Sequence, residues 1–157
     1  MSDDAAHMRR AIELARAHSG AGAGGPFGAV VVKDGRIVGE GWNQVTSTND
    51  PTAHAEIVAI RRACAALGTF DLSGATVFTS CEPCPMCLGA ILWSRASRMC
   101  YAATRRDAAE IGFDDEAFYV EVAKDIEARG LPTENLLRKE ARAVFAEWFA
   151  KPDKVPY

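Results

Sequence analysis

The segment TSCEPCPMCLGA, residues 79–90, carries three of the chain's five cysteines, at 81, 84 and 87. Two cysteines three apart at a helix start can face one point. Pro85 suits the first position of a helix, so a helix is expected to begin there and run to about Ser94. Its positive end lowers thiol pKa and favours the metal-binding thiolate. A catalytic zinc takes three protein ligands and keeps one position for water. Cys84 and Cys87 meet the first requirement, so the fold must bring a third ligand to them from elsewhere. The sequence has three histidines. His7 and His18 fall on an N-terminal helix expected over about 4–19, where polar neighbours make them surface residues. His54 opens a second helix, expected over 54–67. Its apolar stripe is Ile57, Ile60, Cys64 and Leu67, and Gly68 is its stop signal.

Two residues after His54 comes Glu56. The order His54-Ala55-Glu56, 26 residues (57–82), then PCPMC resembles the His-x-Glu and Pro-Cys-x-x-Cys signature of zinc deaminases. In that reading His54, Cys84 and Cys87 hold the metal. Glu56 is not a ligand and reaches the open position as the acid–base group. Two other readings compete. An iron–sulfur motif would lack its usual fourth cysteine. A structural zinc site using Cys81 as well would leave Glu56 without a task. Cys81 otherwise reads as a strand-end residue lining the site, with its carbonyl placed to orient a leaving amine. Glu82 reads as a structural hydrogen-bonding group, and Cys64 and Cys100 as buried structural thiols.

The rest of the chain supplies a frame. AVVVKDGRIVGEGWN reads as a hairpin turning at Lys33-Asp34-Gly35. ATVFTS and RMCYAA read as further strands, with helical patterns around 115–129 and 139–150 and a short strand near 134–138. The glycine-rich SGAGAGGPFGA lacks the spacing and the lysine of a phosphate cradle. Alternating strands and helices predict an α/β chain, a three-layer α/β/α sandwich around a mixed sheet. Its 157 residues suit one domain, 1–157. No signal-peptide pattern or run of about 18 apolar residues appears, so a soluble cytoplasmic protein without a membrane role is expected. A net charge of -3 argues against a nucleic-acid partner.

Beyond the metal motif, GGPFGAVVV, NDPTAHAE, SCEPCPMCLGAI, IGFDDE and the terminal tyrosine resemble the bacterial guanine deaminases of the cytidine-deaminase-like superfamily. The resemblance runs from about residue 8 to Tyr157 and is looser over 117–147. It implies a five-stranded sheet flanked by helices, one zinc per chain, and a homodimer. It also implies that a C-terminal segment, about 150–157, is exchanged between subunits as an active-site lid. By the same resemblance Asn43 hydrogen-bonds the base, Phe27 and Trp93 line it, Asp115 and Tyr157 meet its polar edge, and Ala55 contacts it. The implied reaction is hydrolytic deamination of guanine to xanthine and ammonia. Deaminases of guanosine, cytosine or tRNA adenosine share much of the motif set, and a zinc-stabilised binding module is the non-enzymatic rival. Glu56 speaks against the last, since a binding module needs no carboxylate beside an open zinc position.

Overall fold

The computed structural model describes residues 3–157. They form two compact units, one up to Tyr119 and one from Val120 onward.

The first unit is built on a sheet of β1 (Gly28–Lys33), β2 (Arg36–Trp42), β3 (Thr76–Cys81) and β4 (Arg98–Ala103). Strand order is β2-β1-β3-β4. β1 is antiparallel to both β2 and β3, and β3 runs parallel to β4. The hairpin turns at Asp34 and Gly35, both with positive φ, as Asp-Gly predicts.

β1 explains the layering. Its apolar run is unbroken, and alternate residues of a strand face opposite sides. Ala29 and Val31 join one core with Val77, Leu72 and Ile91. Val30 and Val32 join another with Phe78 and Leu14. Helix α1 (Asp4–Gly20) covers the second face through Leu14, and the Arg10 guanidinium forks onto Glu40 of β2 at 2.7 and 2.9 Å. Helix α3 (Ala55–Leu67) and helix α4 (Pro85–Trp93) cover the first face.

The approach of α3 to β2 depends on glycine. A Cβ on Gly41 would lie 2.1 Å from the Ala55 carbonyl oxygen, and one on Gly39 would lie 2.4 Å from that of Ala59. The helix answers with Ala55, Ala59 and Ala63, all fully buried. Two small-residue faces thus meet at backbone distance, and the start of α3 is held at one end of the sheet.

The sheet departs from expectation in having four strands rather than five. Residues 134–137 form no strand. An extended segment becomes a strand only by pairing its backbone groups. Leu137 takes φ 53 and turns directly into α7 (Arg138–Ala150). Two short helices also lie where none was expected: α2 (Val45–Thr48) and α5 (Arg105–Glu110). The second starts with a Thr104–Asp107 capping box, a pattern visible in TRRD. His7 and His18 are half-buried rather than plain surface. His7 packs on Phe78 and His18 stacks on Trp42 at 3.6 Å. Cys64 and Cys100 are likewise half-buried, packed against the two cores.

Helix α6 (Glu116–Ala123) spans the division between the units. The second unit contains α7, on which Val144, Phe145, Trp148 and Phe149 are exposed. Among the described residues no helix is long and apolar enough to cross a membrane.

Candidate active site

Two helix starts converge beyond the end of β3. His54 is the N-cap of α3 and Cys84 the N-cap of α4, both with extended backbone. Cys87 lies in the first turn of α4, and its N–H donates to the Cys84 sulfur at 3.5 Å. Both positive helix ends point at the same spot, which favours thiolate there.

The His54 Nδ1 lies 3.6 Å from Cys84 Sγ and 3.5 Å from Cys87 Sγ. All three ligand atoms lie within 4.8 Å of one another. Zinc bonds of about 2.3 Å to sulfur and about 2.0 Å to nitrogen, at a tetrahedral angle, put N and S about 3.5 Å apart. The observed separations match the edges of that tetrahedron, and the donor set suits zinc. Hydrogen bonds from Cys87 and His54 pull the Cys84 thiol down to about 4. The same bond to Cys84, together with burial, pushes Cys87 upward. One thiolate is therefore already favoured, and the hydrogen bond to Cys84 raises the pKa of His54.

Glu56 sits one helical step past Ala55, only 6 % exposed. It borders the same cavity as His54 and Cys84, a space of about 230 Å³. Burial raises its pKa. Its Oε1 accepts from the Thr79 hydroxyl at 3.2 Å.

The loop between β3 and α4 is pinned from outside. The Glu82 N–H donates to the Ala103 carbonyl at 2.8 Å, and its carboxylate accepts from the Arg105 N–H at 3.0 Å. The Tyr119 hydroxyl donates to the Pro83 carbonyl at 2.7 Å, with the Arg105 guanidinium over its ring. Glu82 is thus a structural hydrogen-bonding group. Cys81 lines the cavity too, but its thiol turns to the Thr104 carbonyl at 3.6 Å. Burial pushes that thiol up to about 11, and it stands apart from the ligand trio.

Of the expected base contacts, Asn43, Phe27 and Asp115 border the cavity. The Asn43 Oδ1 accepts from the Gly25 and Val45 N–H groups, each at 3.2 Å. Its Nδ2 is thereby left as the group available to a ligand. Phe27 meets Phe113 edge to face at 4.9 Å. Asp115 has a raised pKa, through burial first and then the nearby Cys84 charge.

The other three lie elsewhere. Ala55 packs in the core beneath Gly41. Trp93 ends α4, 63 % exposed, beside Gly89, Leu92 and Arg95. It lies eight helical steps beyond Pro85, about 12 Å along the axis. Tyr157 belongs to the second unit and is 76 % exposed. Phe113, Val45, Thr46 and Pro51 border the cavity without having been singled out from sequence. Phe113 stands within the IGFDDE segment, and its aromatic type beside two acids was the available signal.

Residues 1–103 match the family model of the cytidine and deoxycytidylate deaminase zinc-binding region. The chain is 51% identical to the guanine deaminase of Bacillus subtilis (strain 168), over 96% of each. It is 44% identical over 114 residues to a tRNA-specific adenosine deaminase of Haemophilus influenzae, covering 69% of this chain and 65% of that one. The X-ray structure of the Bacillus subtilis guanine deaminase superposes with a TM-score of 0.94, at 50% identity and 97% coverage of both chains.

Proposed function

The chain belongs to the cytidine and deoxycytidylate deaminase zinc-binding family, and from that premise we propose that it hydrolyses guanine to xanthine and ammonia. The observation that carries the reading is the ligand trio with its 3.5 and 3.6 Å N–S separations, set beside a buried carboxylate in one cavity. His54, Cys84 and Cys87 hold the zinc. Bound there, it supplies Lewis acidity that brings the pKa of water near neutrality.

Glu56 does the proton work. Its carboxylate takes the proton of the attacking water. It passes that proton to the ring nitrogen beside the reacting carbon, then takes the remaining proton from the added hydroxyl and gives it to the amine, so that the carbonyl forms as the carbon–nitrogen bond breaks and ammonia leaves. Such a shuttle contributes about 10²- to 10⁴-fold. Cys81 lines the same space, and its carbonyl suits the leaving amine as an acceptor.

The polar groups on the wall fit a guanine edge. Asn43 offers a donor, because its oxygen is held by two backbone N–H groups. Guanine presents a carbonyl oxygen to such a donor. Asp115 offers an acceptor for ring N–H and amine groups. Phe27 and Phe113 flank the flat base.

The working enzyme is a homodimer. Helix α7 exposes Phe145, Trp148 and Phe149, and β4 is an edge strand with Tyr101 47% exposed. Apolar faces of this kind mark contact surfaces. In the proposed dimer the C-terminal segment of a partner subunit closes the cavity, with Tyr157 at the base. Free thiol ligands suit a reducing compartment, which supports the reading of a cytoplasmic protein.

The deciding experiment measures ammonia release from guanine, guanosine, deoxyguanosine, cytosine, adenine and tRNA. Guanine is expected to be turned over fastest. Faster release from guanosine would move the chain to a nucleoside deaminase, and release from tRNA alone would move it to RNA editing.

A further inference from the structure

Thr79 is out of place in its surroundings. It lies in the middle of the sheet on β3, paired with Ala29 on one side and Tyr101 on the other, and is 1 % exposed. Its strand neighbours Val77 and Phe78 are apolar and fully buried. A hydroxyl in such a place costs free energy unless it is hydrogen-bonded.

The bonds it makes are specific. Its Oγ1 lies 3.2 Å from Glu56 Oε1 and 2.9 Å from the Cys81 carbonyl oxygen. One hydroxyl hydrogen thus faces two acceptors, and both belong to residues that line the cavity. Ser80, its neighbour, does a different task, accepting from the Gly28 N–H at 3.0 Å within the sheet.

We propose that Thr79 is a positioning residue for the reaction: its hydroxyl holds the Glu56 carboxylate and the Cys81 carbonyl in a common register beneath the cavity. The proposal deepens the reading of the site as a deaminase and rests on it. Glu56 leaves α3 in its first turn, and its flexible stem needs a fixed point to keep the carboxylate aimed. An acid–base group works only within hydrogen-bond reach of the proton it moves, and sites lose rate when such a group is set loose by about half an ångström. β3 supplies the fixed point because it is paired on both sides and cannot shift.

Two substitutions separate this from a packing role. Thr79→Val keeps the shape and removes the hydroxyl, whereas Thr79→Ser keeps the hydroxyl and removes the methyl group. A packing role predicts that Ser is the damaging change. The positioning role predicts the reverse in turnover. The Val variant should keep one zinc per chain and a KM for guanine within about threefold, while kcat falls about 10- to 100-fold, the usual effect of losing a hydrogen bond to a charged group. The Ser variant should stay within about threefold of the parent in kcat. Crystal structures of the parent and the Val variant supply a second readout, with the Glu56 carboxylate expected in one rotamer in the parent and displaced in the variant. The proposal fails if the Val variant keeps parental kcat, if both variants slow together, or if Glu56 is unmoved. A parent that releases no ammonia from guanine defeats the substrate reading instead, and the Glu56 rotamer alone then decides for or against Thr79.

Discussion

Glu56 joins two demands that normally conflict. It is buried, 6 % exposed, and burial raises its pKa, as the proposed proton-carrying role requires. It must also stay polar and aimed, which the Thr79 hydroxyl and the start of α3 permit. Glu56→Gln keeps the shape and loses the proton. That variant is expected to retain zinc and bind guanine while kcat falls at least about 100-fold; steady-state assays beside metal analysis check both halves, and near-parental turnover would sink the role. The cysteines divide in the same way. Cys84 and Cys87 face His54 at tetrahedral-edge distance, whereas Cys81 turns to Thr104. Cys84→Ala and Cys87→Ala should each lose zinc and activity, and Cys81→Ala should keep about one zinc per chain. Metal content by elemental analysis decides it, full occupancy in the Cys84 variant being the contrary result.

Helix α3 carries both His54 and Glu56, so its seating on β2 sets the site. The contact is backbone on backbone through Gly39 and Gly41. Gly41→Ala would force the helix outward, since its Cβ would meet backbone rather than a flexible side chain. Overpacking of this kind costs about 1–3 kcal/mol. A lower Tm and weaker zinc retention on dialysis against chelator should appear together; a variant with parental values for both would show that the seating is looser than the distances imply. Across the sheet, Arg10 lowers the pKa of Glu40 by direct hydrogen bonding and by charge. A lowered carboxylate pKa adds stability that is full above the unfolded value of 4.5 and is lost as pH falls through the lower folded value. Both side chains are about a third or more exposed, at 42% and 32%, so solvent screening limits the contribution to about 1 kcal/mol or less. The Tm gap between parent and Glu40→Gln should therefore narrow between roughly pH 6 and pH 3. A constant gap across that range would mean the ion pair adds nothing.

At the scale of the whole molecule, the second unit presents exposed apolar groups that suit a partner surface. Phe145 is 72% and Phe149 74% exposed. The tail KPDKVPY after α7 carries two prolines, which prevent a continuing helix, and it ends on an aromatic hydroxyl. If a partner's tail closes the cavity, deleting Val155 to Tyr157 should leave folding and zinc content intact yet cut guanine turnover at least about tenfold, because an open site admits water and weakens its electrostatics. Light scattering of the full chain should give the mass of a dimer. Full turnover by the truncated chain would make the tail a bystander.

The metal trio and Glu56 could be named from the sequence because each is marked locally, at a helix start within the His-x-Glu and Pro-Cys-x-x-Cys pattern, whereas the meeting of His54 with the two cysteines across 30 and 33 residues is the work of the fold. His54 and Cys84 are N-caps, Cys87 follows within one turn, and the start of each helix was marked by its own residues. The hairpin and the buried run of β1 were legible for the same reason. What the tertiary structure decided depends on groups far apart in the chain. Thr79 meets Glu56 across 23 residues. The Asn43 amide is oriented by the Gly25 N–H, 18 residues away. Phe113 finds Phe27 only once the sheet is closed. Trp93 and Ala55, named as base contacts by resemblance, are not among the residues that line this cavity: Trp93 ends α4 exposed, and Ala55 packs against Gly41. The strand expected near 134–138 does not form: a strand exists only with a pairing partner, among the described residues this segment has none, and Leu137 turns into α7 instead. Spacing along the chain can specify which groups share a helix end; which side chains share a cavity follows from packing.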